Sequence, residues 1–371
     1  MTTPVFHGIK TNLLTTASTA ITSVATAVIG MVATGSDADA ALFPLNTPVL
    51  IDDVRTALAR TGTQGTLPVA LAAIADQCSP LVIVVRVETS ADGQDALVEA
   101  GLQKLLTAEQ VTTYRPRILG APGLASEAVT TALATVAKQL RGMAYALVPA
   151  ADLAGALAYP AGFGARELML LWPDSAVGGA DIEGRALGLR AAIDAATGWH
   201  KTLSNVEIAG ITGLAEPVSW GLDDTTTDAA LLNSANITTL VRKNGWRFWG
   251  NRTTSSDAHW AFESAVRTSQ VLQDSIEDAC FRFADKPLTV GLVKDIVATA
   301  NGYFRKLVKQ GLLIGATCWY DPAANAGADL ANGQLALDYD FTPAAPLEGL
   351  TFNQRLTDKY YVDFATLLAT S

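Results

Sequence analysis

Residues 80–88 read PLVIVVRVE, a nearly continuous apolar run broken by Arg86. A strand with one wet face alternates apolar and polar positions. A run that is apolar at consecutive positions is instead covered on both faces, as inside a sheet with helices above and below. Similar short runs lie around it: TAVIGMVAT (26–34), TPVLI (47–51), RPRILGAP (115–122), YALVPA (145–150) and RELMLLWP (166–173). Between them fall helical stretches, DDVRTALARTG (52–62), LPVALAAIADQC (67–78), DALVEAGLQKLL (95–106), SEAVTTALATVAKQLRG (126–142) and EGRALGLRAAIDAATG (183–198). The alternation predicts an α/β core with a mostly parallel sheet and helices on both faces.

After Lys201 the pattern changes. VEIAGITGLAEPVSWGLDD (206–224) is Gly- and Pro-punctuated, and a short helix and a strand turning at Asn244-Gly245 follow. A long helix is expected next, with Ser256 or Asp257 as N-cap and Pro287 closing it. A second helix is expected from Thr289 to Gly311. Two runs, LLIGATCWY (312–320) and QLALDYDF (334–341), predict a long-looped hairpin with Leu335, Leu337, Tyr339 and Phe341 on one face. This gives an α+β C-terminal subdomain. Both termini hold strand-like pieces set apart from the core: VFHGIKTNLLTTAST (5–19), and an alternating run from Leu350 to Leu356 beyond Pro343 and Pro346. A strand without a partner in its own domain can complete a neighbour's sheet. The expected division is an N-terminal arm (1–20), an α/β subdomain (21–205), a C-terminal subdomain (206–345) and a C-terminal arm (346–371).

The chain has 371 residues, 49% apolar and 17% charged, enough for a sizeable core and too apolar for disorder. Its low charge suits alanine-rich helices or a surface covered by neighbours. The net charge of −10 disfavours general nucleic-acid binding. Charge is uneven: residues 242–309 carry 11 basic and 7 acidic side chains, a positive island in an acidic chain. Cys78, Cys280 and Cys318 are odd in number and far apart, which fits neither a disulfide framework nor a C-x-x-C metal site. No run reaches the ~18–20 apolar residues of a membrane span. Residues 20–34 mimic a signal core, but Thr and Ser interrupt them, and they read as a strand with its lead-in.

Catalytic motifs are missing. There is no phosphate loop, no G-x-S-x-G elbow and no H-E-x-x-H, and His7, His200 and His259 have no ligand spacing. The turn from Gly120 to Gly123 lacks the glycine spacing of a dinucleotide site and reads better as structural, though it carries the rival reading of a nucleotide-binding α/β enzyme. Asp37, Asp39, Asp223 and Asp224 read as solvated loop acids. The aromatic-basic cluster Trp246, Arg247, Trp249 and Arg252 reads as core or subunit contact. No cofactor and no metal is expected.

Three segments, 207–220 (EIAGITGLAEPVSW), 231–268 (LLNSANITTLVRKNGWRFWGNRTTSSDAHWAFESAVRT) and 293–341, resemble the contractile tail sheath proteins of myophages and R-type pyocins. So do the opening VFHGI and RPRILGAPG (115–123). The most specific stretch is NGWRFWGNRTTSSD (244–257), and the likeness spans essentially the whole chain. It lacks the inserted outer domains of larger sheaths and so resembles a compact form. The resemblance implies a non-enzymatic subunit that stacks as sixfold rings around a tail tube and contracts without nucleotide. It also implies baseplate and tail terminator partners, no direct contact with nucleic acid and no membrane insertion. The location would be the virion tail or a phage-tail-like particle, assembled in the host cytoplasm. On this reading Val5, Phe6, His7, Gly8 and Ile9 form the N-terminal linking strand, and Leu350, Phe352 and Leu356 the C-terminal one. Leu313, Thr317, Leu335, Leu337 and Tyr339 mark the hairpin that receives them. Lys294, Arg305, Lys306 and Lys309 face the tube. A small, β-rich tube protein is the other rival class, and the helix–strand alternation of residues 26–200 argues against it.

Overall fold

The computed structural model describes residues 21–369. Strands β1 (Ile29–Thr34), β2 (Pro48–Ile51), β3 (Val82–Val87), β4 (Ile118–Gly120), β5 (Met143–Leu147), β6 (Leu168–Leu171), β7 (Glu207–Ile208), β8 (Ile237–Arg242) and β9 (Trp246–Trp249) form one sheet in the order β2-β3-β1-β4-β5-β6-β8-β9-β7. It is a mixed sheet. From β3 to β8 neighbours run parallel, while β2 at one edge and β9 and β7 at the other are antiparallel. The edges have local causes. Residues 35–47 contain no helix to carry the chain back across the sheet, so β2 returns in the opposite sense. β8 and β9 are joined by a tight turn in which Asn244 and Gly245 both take positive φ, 51° and 100°. The sheet continues without a break past residue 205.

Among the described residues, seven helices have ten or more residues: α1 (Leu67–Gln77), α2 (Gln94–Lys104), α3 (Glu127–Leu140), α4 (Asp181–Ala196), α5 (Glu263–Cys280), α6 (Val290–Lys309) and α7 (Tyr360–Ala369). The 80–88 run behaves as expected. Val82 and Val84 pack with α1 and α4 on one face, while Ile83 and Val85 pack with α2 and α3 on the other. Arg86 is buried at the end of that strand, where its guanidinium donates to the carbonyls of Phe43 and Gly35 (2.6 and 2.8 Å) and ties down the β1–β2 loop. α4 lies closest to α1 at Gly184 and Gly188, where an added Cβ would sit 2.8 Å from the Ala70 carbonyl oxygen and 2.9 Å from the Ile74 Cα. α3 starts at Ser126, whose hydroxyl accepts from Val129 N (3.1 Å). It stops at Arg141, which turns left-handed while Gly142 N bonds back to Ala137 O.

Beyond the sheet, α5, α6 and a two-stranded antiparallel hairpin, β10 (Leu313–Trp319) and β11 (Asp338–Pro343), enclose a third apolar cluster of Trp199, Leu272, Tyr303, Phe304 and Leu307. Two expectations are corrected here. The helix expected from Ser256 or Asp257 starts only at Glu263. Asp257 caps a single 3-10 turn (Ala258–Trp260), and residues 251–263 fold back through bonds from Thr253 N to Ala261 O and from Glu263 N to Asn251 O. β11 starts at Asp338, so Leu335 and Leu337 precede it, because the Asn325 carboxamide and not β10 bonds the Ala336 peptide. The run from Leu350 to Leu356, read as a piece without a partner in its own domain, has no ladder partner among the described residues, and the C-terminal segment ends in α7.

Candidate assembly interface

The hairpin carries the apolar alternation expected of it. Tyr339 stacks between Phe304 (ring centroids 5.6 Å) and Phe341 (6.5 Å), and burial, then the nearby Glu277 carboxylate, push its phenol up. Leu313 is buried, Leu335 and Leu337 are half-buried, and Thr317 is exposed on the outer face with Asp338 and Asp340. These residues do come together around one hairpin, although Leu335 and Leu337 sit on its approach. Val5, Phe6, His7, Gly8 and Ile9 lie outside the described residues.

The C-terminal segment leaves the body beside the hairpin. Arg252 grips Glu348 through two bonds (2.9 and 2.6 Å), pinning residues 344–348 across a cleft of about 720 Å³ lined by Trp220, Trp249 and His200. After this point the chain touches little. Leu350 is 65% exposed, Phe352 85% and Leu356 fully exposed, and Tyr360, Tyr361 and Phe364 of α7 are more than half exposed. Of the aromatic-basic cluster, Trp246 is half-buried and packs against the core, Trp249 packs edge-on against Trp220 (5.6 Å), and Arg247 donates to backbone carbonyls of its own turn and of Asn205.

The cations expected at a tube share one face of α6. At 3.6 residues per turn, Lys294, Arg305 and Lys309 fall within about 60° of one another and Lys306 about 60° further round. All four are exposed, opposite the buried Ala300, Tyr303, Phe304 and Leu307, and none has an ion-pair partner among the described residues. Thr289 caps this helix through Leu292 N (3.2 Å), and Lys306 and Lys309 lie in its last turn, where a cation is favoured by the helix dipole.

What joins the hairpin region to the α/β body was not visible in the sequence. Arg190 and Asp194 on α4 and Glu263 and Arg267 on α5 form a buried cluster, with Arg190 bonded to Asp194 (2.7 Å) and Glu263 (3.2 Å), and Arg267 bonded to Asp194. Tyr145 of β5 donates to Glu263. Burial pushes the Glu263 carboxyl up, but Arg190 and Arg267 outweigh it and hold the group below the ordinary range. Nearby, Asp274 of α5 pairs with Arg117 (2.5 Å) and Arg141 (2.8 Å), and Arg141 also pairs with Glu277 (2.5 Å). An i, i+4 Arg–Asp pair on a helix reads as surface in a sequence, so nothing marked these charges as internal.

The Gly120–Gly123 turn is filled from within. Gly123 N donates to Glu183 Oε2 (2.6 Å) and Leu147 N at the end of β5 to Glu183 Oε1 (2.9 Å), so the Gly123 amide of the turn already holds a carboxyl group. Burial pushes that carboxyl up to about 7, against the two amide bonds that lower it. Among the described residues, no group of three or more His, Cys, Asp or Glu is placed to hold a metal, and no helix is long and apolar enough to cross a membrane.

Comparison with known proteins agrees with this arrangement. Residues 93–254 match the family model of the phage tail sheath protein central domain, 255–357 that of the phage tail sheath C-terminal domain, and 26–87 that of the N-terminal region of domain III of the tail sheath protein Gp18. The tail sheath protein of Escherichia phage P2 is 44% identical, over 97% of this chain and 98% of its own. The major tail sheath protein of Serratia phage KSP20 is 43% identical, over 99% of each. The helical sheath of the anti-feeding prophage in its contracted state has the same fold, with a TM-score of 0.73 at 18% identity over 95% of this chain and 98% of that one. A mixed α/β body, a C-terminal hairpin and an unpacked terminal arm thus coincide with full-length sequence similarity, and the chain belongs to the phage tail sheath family.

Proposed function

We propose that copies of this chain polymerise as stacked hexameric rings around a tail tube and contract to drive that tube through the target cell envelope. The subunit is structural and not an enzyme. Residues 1–20 and 346–371 are its linking arms, residues 21–205 the α/β part, and residues 206–345 the part that faces the tube through Lys294, Arg305, Lys306 and Lys309. Further partners are the baseplate and tail terminator, and the place of work is the tail of a virion or a phage-tail-like particle put together in the host cytoplasm.

One observation carries this reading: a closed body releases an apolar segment, with Leu350, Phe352 and Leu356 in water, beside a two-stranded hairpin with an open edge. Such surface is stable only when another copy covers it. Negative-stain microscopy of the purified protein at rising concentration tests it. Striated hollow cylinders are expected, and a dispersed monomer throughout would overturn it.

A further inference from the structure

Two points fix the chain between the hairpin and the C-terminal segment. The first is the hairpin itself. Asn301 of α6 imitates a peptide group against β10, with Nδ2 donating to Cys318 O (2.8 Å) and Oδ1 accepting from Cys318 N (2.9 Å), and β11 is laddered to β10 as far as Pro343. The second is Arg252, which donates to both carboxylate oxygens of Glu348 (2.9 and 2.6 Å). Residues 344–347 make no hydrogen bond among the described residues, and Ala345 and Leu347 are exposed. With Glu348 they line the cleft of about 720 Å³, so this stretch spans open volume.

The partners of that pair are held very differently. Arg252 is firmly mounted. Its neighbours Asn251, Thr253 and Thr254 are buried, and three backbone bonds fix them: Glu263 N to Asn251 O (3.0 Å), Thr253 N to Ala261 O (2.8 Å) and Thr254 N to Leu168 O (3.0 Å). The Arg252 guanidinium also lies over the Phe262 ring, 5.2 Å from its centroid. Glu348 is exposed and, among the described residues, bonds to Arg252 alone. A fixed post thus holds a loose strap by one ion pair, with side chains 38% and 42% exposed. Two parallel bonds set a position, while exposure to water keeps the pair weak enough to open under load. Opening it changes the length of the arm. Closed, the free arm begins at Gly349; open, it begins at Ala344. The five residues 344–348 add about 17 Å of reach at ~3.3–3.6 Å per residue.

We propose that Arg252 and Glu348 form a releasable latch, which stores residues 344–348 against the body and frees them as extra arm length when copies move apart in contraction. A sheath of fixed subunit number that shortens must widen to keep its volume, and its copies then draw on the arms that join them. The proposal rests on the reading of the chain as a contractile subunit with residues 346–371 as a linking arm. Particles assembled from the full chain carrying Arg252→Cys and Glu348→Cys test it. The two thiols are bridged after assembly with a short bis-methanethiosulfonate, the bridge is verified by mass spectrometry, and contraction by acid or mild denaturant is read as particle length in micrographs. Bridged particles are expected to keep their uncontracted length and to contract once dithiothreitol cleaves the bridge. Reagent-treated particles with either cysteine alone are expected to contract at once. Bridged particles that contract to the wild-type length would overturn the latch and leave the arm reading standing. Wild-type particles that never contract would overturn the functional reading instead. Where the double-cysteine chain does not assemble, Glu348→Ala is expected to contract about three- to fivefold faster than wild type, the scale of one exposed pair. Glu348→Arg is expected to do the same, and Arg252→Glu in that chain to restore the wild-type rate. Equal rates in all of these chains would count against the latch.

Discussion

Glu183→Gln is expected to remove a pH dependence that this single group builds into the fold. Glu183 is buried, and its carboxyl accepts from the amides of Gly123 and Leu147 with no ion-pair partner among the described residues. Burial raises it from the ordinary 4.5 to about 7. A carboxyl whose folded value lies above its unfolded value contributes most to stability below the unfolded value, and that contribution drains away as pH rises through the folded one. The window is thus 4.5 to about 7, and at roughly 1.4 kcal/mol per unit the loss is about 3 kcal/mol. Glutamine offers one oxygen where the carboxylate offers two, but the protonated acid has the same deficit, so this cost cancels in the pH dependence. Denaturant unfolding of the unassembled subunit at pH 4.5 and pH 8 reads the effect. The wild type is expected to lose about 3 kcal/mol more than Glu183→Gln between the two. Parallel losses in both proteins would show that Glu183 does not stay protonated in the fold and would refute the reasoning.

Deleting residues 346–371 is expected to leave a soluble monomer with the same circular dichroism apart from the loss of α7, because this segment packs little on the body; cylinders of normal length from the truncated chain would contradict the arm reading. Reversing Lys306 and Lys309 to glutamate is expected to leave the fold intact and weaken co-assembly with tube, with native assembly falling as salt rises. Exposed pairs are worth only ~0–1 kcal/mol each, so that effect comes from repetition along the tube, and unchanged co-assembly at low salt would move the contact elsewhere. Contraction of EDTA-treated, nucleotide-free particles is expected on acid or mild denaturant alone, read by particle length in micrographs, and strict dependence on ATP would count against a purely mechanical subunit.

The centre of the fold was legible because burial on both faces leaves a mark in sequence: consecutive β-branched residues at 82–85 occur where helices lie on both sides. The hairpin was legible for the complementary reason, since a half-wet strand must alternate. Strand direction was not. Nothing in TPVLI distinguishes an antiparallel edge from a parallel neighbour, and only the length of the preceding loop carries that information. Helix α7 was not legible either, since the alternation from Leu350 to Leu356 carries no sign of the helix that follows it. Asn301 and Asn325 were invisible for a different reason, as an asparagine that imitates a peptide group looks like any other polar residue until the backbone it bonds is known.

The cluster of Arg190, Asp194, Glu263 and Arg267 sets where such a molecule yields under load. Prising α5 from α4 would strand charges in a dry interior at a cost of about 3–5 kcal/mol for each broken pair, so the joint between the two halves is stiff. Residues 349–359, in contrast, are exposed throughout. On the proposed reading of residues 346–371 as a linking arm, a pull on one copy passes through the body undeformed, and the compliance of a chain of such bodies lies in its peptide tethers, as in linked rigid plates that change pitch without any plate bending.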